Sequence, residues 1–261
     1  MKKLLLALTA AAAFSGSAFA ADMAARMPMK AAPPVPLASW TGFYIFGGVG
    51  GGIWDADTFT RDSLTGVPLS LHQTQGGDGW FGTVGLGYDW QMSRWVVGLF
   101  ADGQFGSLRG NVTAFNGGVT GNIKLQDTWA AGARVGYLIA PNVLSYVNGG
   151  YAGSHWSGTT LLDSITGLPV GLHTNSFNRS GWFVGGGVEN NLDIFGITAP
   201  GWFMKTEYRG AYFNRSNIDA IVDGTNLAFG TTNLGFKPWV QTISTSLVYR
   251  FNWTGPVVAK Y

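Results

Sequence analysis

The chain has 261 residues, with 40 Gly, 11 Trp, no Cys, 14% aromatic and only 11% charged residues. So many aromatics with so few charges exclude a disordered chain, a coiled coil and collagen, and the missing Cys exclude a disulfide scaffold. With 16 basic against 14 acidic residues the net charge is +2, too even for a nucleic-acid binder, which leaves one large β domain as the class that fits.

Residues 1–20 read as a secretory signal peptide. Met1-Lys2-Lys3 is the positive start, Leu4 to Phe14 the apolar stretch, and Ala18-Phe19-Ala20 the small-x-small site, predicting cleavage after Ala20. The apolar stretch is too short for a spanning helix, and no later window holds 18 uninterrupted apolar residues. Entry into a membrane therefore requires a closed β-barrel, which satisfies its own backbone groups in lipid. Residues 21–39 carry Pro28, Pro33, Pro34 and Pro36 and read as an extended periplasmic tether.

From Trp40 the pattern has a period of two. Trp80, Val84, Leu86, Tyr88 and Trp90 alternate with Thr83, Gly85, Gly87 and Asp89; Trp95, Val97, Leu99 and Phe105 alternate with Gly98, Asp102 and Gln104. Leu125, Trp129, Val135, Tyr137 and Ile139 oppose Gln126, Thr128 and Arg134. Trp182, Val184, Val188, Leu192 and Ile194 oppose Glu189, Asn191 and Asp193, and Ile243, Leu247, Tyr249, Phe251 and Trp253 oppose Thr242, Ser244, Ser246 and Arg250. Eight strands are predicted, over 40–54, 79–91, 94–107, 124–139, 143–156, 180–195, 201–214 and 238–253. Tight turns (91–94, 140–142, 196–200) alternate with long loops (55–78, 108–123, 157–179, 215–237). An even strand number with that alternation predicts an all-β fold: a transmembrane antiparallel barrel of eight strands, connected as an up-and-down meander over 40–253. Pro256 cannot sit in a central ladder, so 254–261 read as a periplasmic tail.

Tryptophan placement supports lipid as the outer solvent. Trp40, Trp90, Trp95, Trp202 and Trp253 fall at the short-turn ends of the strands; Trp54, Trp80, Trp129, Trp156, Trp182 and Trp239 fall toward the long loops. Two such bands are expected as aromatic girdles, where an amphipathic ring suits the headgroup level. The partners expected from this are outer-membrane lipid and lipopolysaccharide; a monomer is the favoured state.

The opposite parity carries Asp89, Asp102, Arg134, Glu189, Lys205, Glu207, Arg209 and Arg250. Eight strands leave a lumen that side chains fill, and buried charges must pair. A salt-bridged plug is therefore expected, with Lys205, Glu207 and Arg209 at its centre and Gly48, Gly50, Gly52, Gly85, Gly87, Gly185 and Gly187 giving it room.

The chain also repeats itself. Asp62–His72 (DSLTGVPLSLH) recurs 101 residues on as Asp163–His173 (DSITGLPVGLH), and Trp54 and Gly79-Trp80-Phe81 recur nearby as Trp156 and Gly181-Trp182-Phe183. The first two strands with their loop thus return as the fifth and sixth. This is either the residue of a duplication or a paired surface feature.

Several short segments resemble small outer-membrane immunogenic proteins of the porin family, eight-stranded barrels related to the OmpA membrane domain and the opacity proteins. They are Trp40 to Gly48 in the first strand, Val147 to Ala152 in the fifth, Lys205-Thr206-Glu207-Tyr208-Arg209 in the seventh and Leu247 to Phe251 in the last. The resemblance implies a structural or surface role in the bacterial outer membrane, and insertion by the barrel-assembly machinery, which reads the aromatic last strand. Two alternatives stand beside it, a small-solute diffusion channel and a surface adhesin or haem binder using His72 and His173. No enzyme, cofactor or metal site is expected, since no H-E-x-x-H, G-x-S-x-G or P-loop is present and His155 has only Ser154 and Ser157 beside it.

Overall fold

Alternating side chains of period two become strand after strand in a computed structural model of the chain, which describes residues 39–114, 118–197 and 199–251. The signal peptide, the tether as far as residue 38, Trp253 and the tail lie outside the described residues. The strands are β1 (Gly42–Asp62), β2 (Gln73–Met92), β3 (Trp95–Ala114), β4 (Val119–Ala140), β5 (Val143–Trp156), β6 (Thr159–Asp163), β7 (Pro169–Thr174), β8 (Phe177–Asn191), β9 (Trp202–Phe213), β10 (Ser216–Val222) and β11 (Ala228–Arg250).

Strands β1, β2, β3, β4, β5, β8, β9 and β11 pair in that order, and β11 returns to β1 from Tyr44–Arg250 to Asp62–Thr232. Every pairing is antiparallel, so the ring closes without a free edge, the condition lipid imposes on a sheet. A second ring stands on the first. There β6 takes the place of β5 beside β4, β7 that of β8, and β10 that of β9 beside β11. The β2–β3 ladder ends at Asp78–Arg109. Beyond it the Gln75 side chain bridges the two strands, accepting from Thr113 N at 2.5 Å and donating to Thr113 O at 2.8 Å.

The polarity of the wall inverts between the two rings. In the lower ring apolar side chains point outward (Val49, Val84, Leu99, Val147, Ile243, Leu247) and charged ones inward (Asp102, Arg134, Glu189, Lys205). In the upper ring Val112, Ala114, Ile123, Leu161, Ile218, Leu234 and Phe236 are buried inside, while Arg109, Asn111, Asn122 and Lys237 face out. The lower ring is thus solvated by lipid outside and packed by ion pairs inside; the upper ring is built like a water-soluble barrel, with an apolar core.

This inversion corrects the predicted long loops. Most of 55–78, 108–123, 157–179 and 215–237 is strand. The outward apolar residues that mark a lipid-facing strand stop at the membrane boundary, although the strands themselves run on. The wall at β8 is shorter than the predicted 180–195: it ends at Asn191, and a 3-10 turn over Leu192–Phe195 follows. Leu125 is also reassigned. The β4 register shifts between Leu125 and Asp127, and a bulge reverses which parity faces inward; Leu125 is buried inside while Trp129 faces out.

Candidate functional site

The lower lumen is filled by two ion-paired clusters. In the first, Arg134 on β4 grips Asp89 on β2 through Nε (2.9 Å) and Nη2 (2.5 Å) and reaches Glu189 on β8 through Nη1 (3.0 Å). Arg250 on β11 binds the same two carboxylates, Asp89 through Nη1 (2.8 Å) and Glu189 through Nε (3.1 Å) and Nη2 (2.7 Å), and donates to Trp40 O (3.0 Å). Aromatic faces complete the cage. Arg134 lies over Tyr44 and Tyr146, and Arg250 over Trp40, Tyr44 and Phe203, all between 4.6 and 5.3 Å. Each guanidinium thus has carboxylates in its plane and π-faces above it, the arrangement its delocalised charge favours.

In the second cluster Arg209 on β9 makes a two-pronged bond to Asp102 on β3 (2.8 and 2.7 Å) and a third bond to Glu207 (2.8 Å). Lys205 stands 3.7 Å from Glu207 and 3.4 Å above the Phe46 ring. Tyr146 joins the clusters: its hydroxyl donates to Glu207 at 2.8 Å while its ring lies under Arg134. The structure brings all eight sequence-derived charges into these two clusters, all of them buried. The centre is shared between them and is not confined to Lys205, Glu207 and Arg209. Sequence reasoning passed over the aromatic half of the site (Tyr44, Phe46, Phe100, Tyr146, Phe183 and Phe203), although each has the same inward parity as the charges. Gly85 shows why small residues stand opposite them: a Cβ there would meet Asp102 Cβ at 2.7 Å and also the Phe46 ring.

An aromatic layer sits above the charges. Trp54 and Trp156 meet edge to face at 5.4 Å, and both pack on Phe236. Trp40, Trp54 and Trp156 are 0% exposed, which removes them from the predicted girdles. Their positions along the chain matched the two bands, but their parity is that of the lumen. The outer wall carries Trp80, Trp90, Trp95, Trp129, Trp182 and Trp202, all exposed. Trp239 completes a stacked outer ladder with Tyr212 (5.1 Å), which stacks in turn on Trp182 (4.5 Å).

The repeated loops form equal turns. Asp62 Oδ1 accepts from Leu64 N (3.0 Å), Thr65 N (2.7 Å) and Thr65 Oγ1 (2.8 Å), and Asp163 Oδ1 from Ile165 N (3.0 Å), Thr166 N (2.7 Å) and Thr166 Oγ1 (2.9 Å). The bonds from Thr65 and Thr166, backbone first, hold both carboxyls below the usual carboxylate range. Gly66 and Gly167 follow at φ 74 and 70, which a β-branched residue would resist. The tips leave Leu64 80% and Ile165 93% exposed. His72 Nδ1 lies 2.7 Å from Asp57, and His173 Nδ1 2.7 Å from Asp223; each imidazole is tied to a carboxylate at one nitrogen. His155 Nδ1 pairs with Asn178 Oδ1 at 2.5 Å.

Comparison with known proteins agrees with this architecture. The family described as "Outer membrane protein beta-barrel domain" matches residues 6–251. A 31 kDa outer-membrane immunogenic protein of Brucella melitensis is 32% identical over 96% of this chain and 100% of its own length. A 25 kDa outer-membrane immunogenic protein of Brucella abortus is 28% identical over 96% of this chain and 99% of its own. Among solved structures, outer membrane protein OprG from Pseudomonas aeruginosa covers 82% of this chain and 99% of its own with a TM-score of 0.50 at 13% identity, a likeness of fold alone. The chain belongs to the outer membrane protein beta-barrel family and is an integral β-barrel of the bacterial outer membrane.

Proposed function

We propose that this barrel is a closed structural and surface-presenting protein that does not serve as a diffusion channel. The observation that carries the reading is the double closure of its interior: eight paired charges in the lower lumen, and the Trp54–Trp156–Phe236 layer above them. Each acid has at least one basic partner within 4.0 Å. A hydrated ion entering the lumen would have to break these bonds and leave charges unpaired in a poorly solvated space. Above the plug, the tall upper ring holds the Asp62–Gly66 and Asp163–Gly167 turns as rigid tips, which suits them to present a fixed surface.

Planar-bilayer recording tests the reading. Purified chain should stay silent at 1 M salt. Charge variants that break both clusters, Arg134→Ala with Arg209→Ala, should produce small conductance steps. Stable steps from the unaltered chain would establish the channel alternative instead.

A further inference from the structure

We propose that Arg109 and Lys124 form a docking site on the outer wall for the phosphate groups of lipopolysaccharide. The two bases lie directly opposite each other, as Cα partners across β3 and β4. Like charges so placed repel, and among the described residues neither makes an ion pair within 4.0 Å. Asp78 is the register partner of Arg109 on its other side, and Asp127 stands three residues from Lys124 along β4. Arg109 nevertheless makes its side-chain hydrogen bond within its own strand. Its Nε donates to Ser107 Oγ at 2.7 Å, and Ser107 is the register partner of Trp80 on the outer wall. The guanidinium is therefore drawn back along the strand toward the exposed aromatics.

Lys124 reaches the outer face through the β4 bulge. Below the bulge the even-numbered side chains Ala130 and Arg134 are buried inside. Without the shift between Leu125 and Asp127, Lys124 would share their parity and point into the barrel. The bulge instead sets it beside Arg109, and the backbone there is pinned by Lys124 N to Ser157 Oγ (3.1 Å) and Ser157 N to Lys124 O (2.8 Å). Bulges re-aim side chains at functional sites, and two cations set side by side suit a ligand of opposite sign.

The occupant follows from position and chemistry. Arg109 is four residues beyond the exposed Phe105, about 13 Å along a tilted strand. Ser107, two residues before it, is the register partner of the exposed Trp80, and outward aromatics of this kind mark the headgroup level, where phosphorylated glycolipid lies in the outer leaflet. Guanidinium and ammonium side by side suit a phosphate, which accepts several charge-assisted bonds at once. The inference rests on this end of the wall facing the outer leaflet, which accessibility of the 63–72 tip to protease on intact cells checks by itself.

The test uses the folded full chain in detergent, with rough lipopolysaccharide, the same lipid after phosphatase treatment, and inorganic phosphate as probes, read by calorimetry. Intact lipid should bind more tightly than dephosphorylated lipid. Arg109→Ala and Lys124→Ala should each weaken binding about fivefold, on the order of one surface charge at a membrane, and the double variant should lose the preference for phosphate. Lys237→Ala, on the upper wall at β11, should change nothing. Heat-modifiable migration on unboiled gels confirms that each variant is folded. Equal affinity for both lipids, no lipid binding, or unchanged preference in the folded double variant would overturn the proposal. Binding of inorganic phosphate as tight as that of the lipid would also overturn it, by reassigning the site to a free anion.

Discussion

Trp54 and Trp156, equivalent positions of the internal repeat, touch each other inside the barrel, edge to face at 5.4 Å. They come from β1 and β5, four strands apart in either direction around the lower ring, so the two copies of the repeat meet inside the barrel. This contact gives the repeat a packing role in the interior, alongside the matching turns at the surface.

Replacing Trp54 or Trp156 with Ala should cost about 3–5 kcal/mol, the range for deleting a buried aromatic. Trp80→Ala should cost far less in detergent, because Trp80 is 78% exposed. Urea unfolding followed by far-ultraviolet circular dichroism separates the two classes.

Asp89→Ala should destabilise the barrel by about 3–5 kcal/mol, since Arg134 and Arg250 both lose a carboxylate while remaining buried. Combining it with Arg134→Met should recover part of the loss, because one stranded cation is then gone. The same unfolding assay reads both, and a double variant less stable than the single one by the full cost of Arg134→Met alone would show the sites to be independent.

Tyr146→Phe removes one hydroxyl and leaves the ring beneath Arg134. Loss of its bond to Glu207 should cost about 1.5–3 kcal/mol, as for a hydrogen bond to a charged group. Glu207→Gln in the Tyr146→Phe background should add less than it does alone. A double-mutant cycle measures that coupling.

The two repeated turns should loosen in acid. Asp62 and Asp163 have carboxyls held below the ordinary range. A lowered folded value stabilises the turn above the unfolded value, near 3.9, and that stabilisation is lost as pH falls through the folded value. Amide exchange at 64–67 and 165–168, corrected for intrinsic rate, should be flat from pH 7 to about 4 and accelerate below. The variants Asp62→Ala and Asp163→Ala should show fast exchange with no such step.

The ring of eight strands and all eight lumen charges were legible because in lipid the outward face is forced to be apolar, which leaves Asp89, Arg134 and Glu207 visible on the other parity. Trp40, Trp54 and Trp156 were misplaced where position along the chain was weighed above parity: Trp54 follows Gly48, Gly50 and Gly52 on the inward face. The upper ring escaped notice because its outward residues meet water, so Asn111, Asn122 and Lys237 look like loop. Leu125 could not have been placed, since a one-residue bulge depends on the neighbouring strands and has no signature of its own in the sequence.

The inverted polarity of the wall also decides what an outside molecule encounters. Beyond Trp54, β1 continues for eight residues to Asp62, roughly 26 Å of paired strand with its own apolar filling. The tips are therefore mounted on a stiff mast, at fixed spacing, with neighbouring strands supplying part of every exposed face. An antibody raised against the native surface would read residues distant in sequence, and a linear peptide copying 62–72 would reproduce little of it.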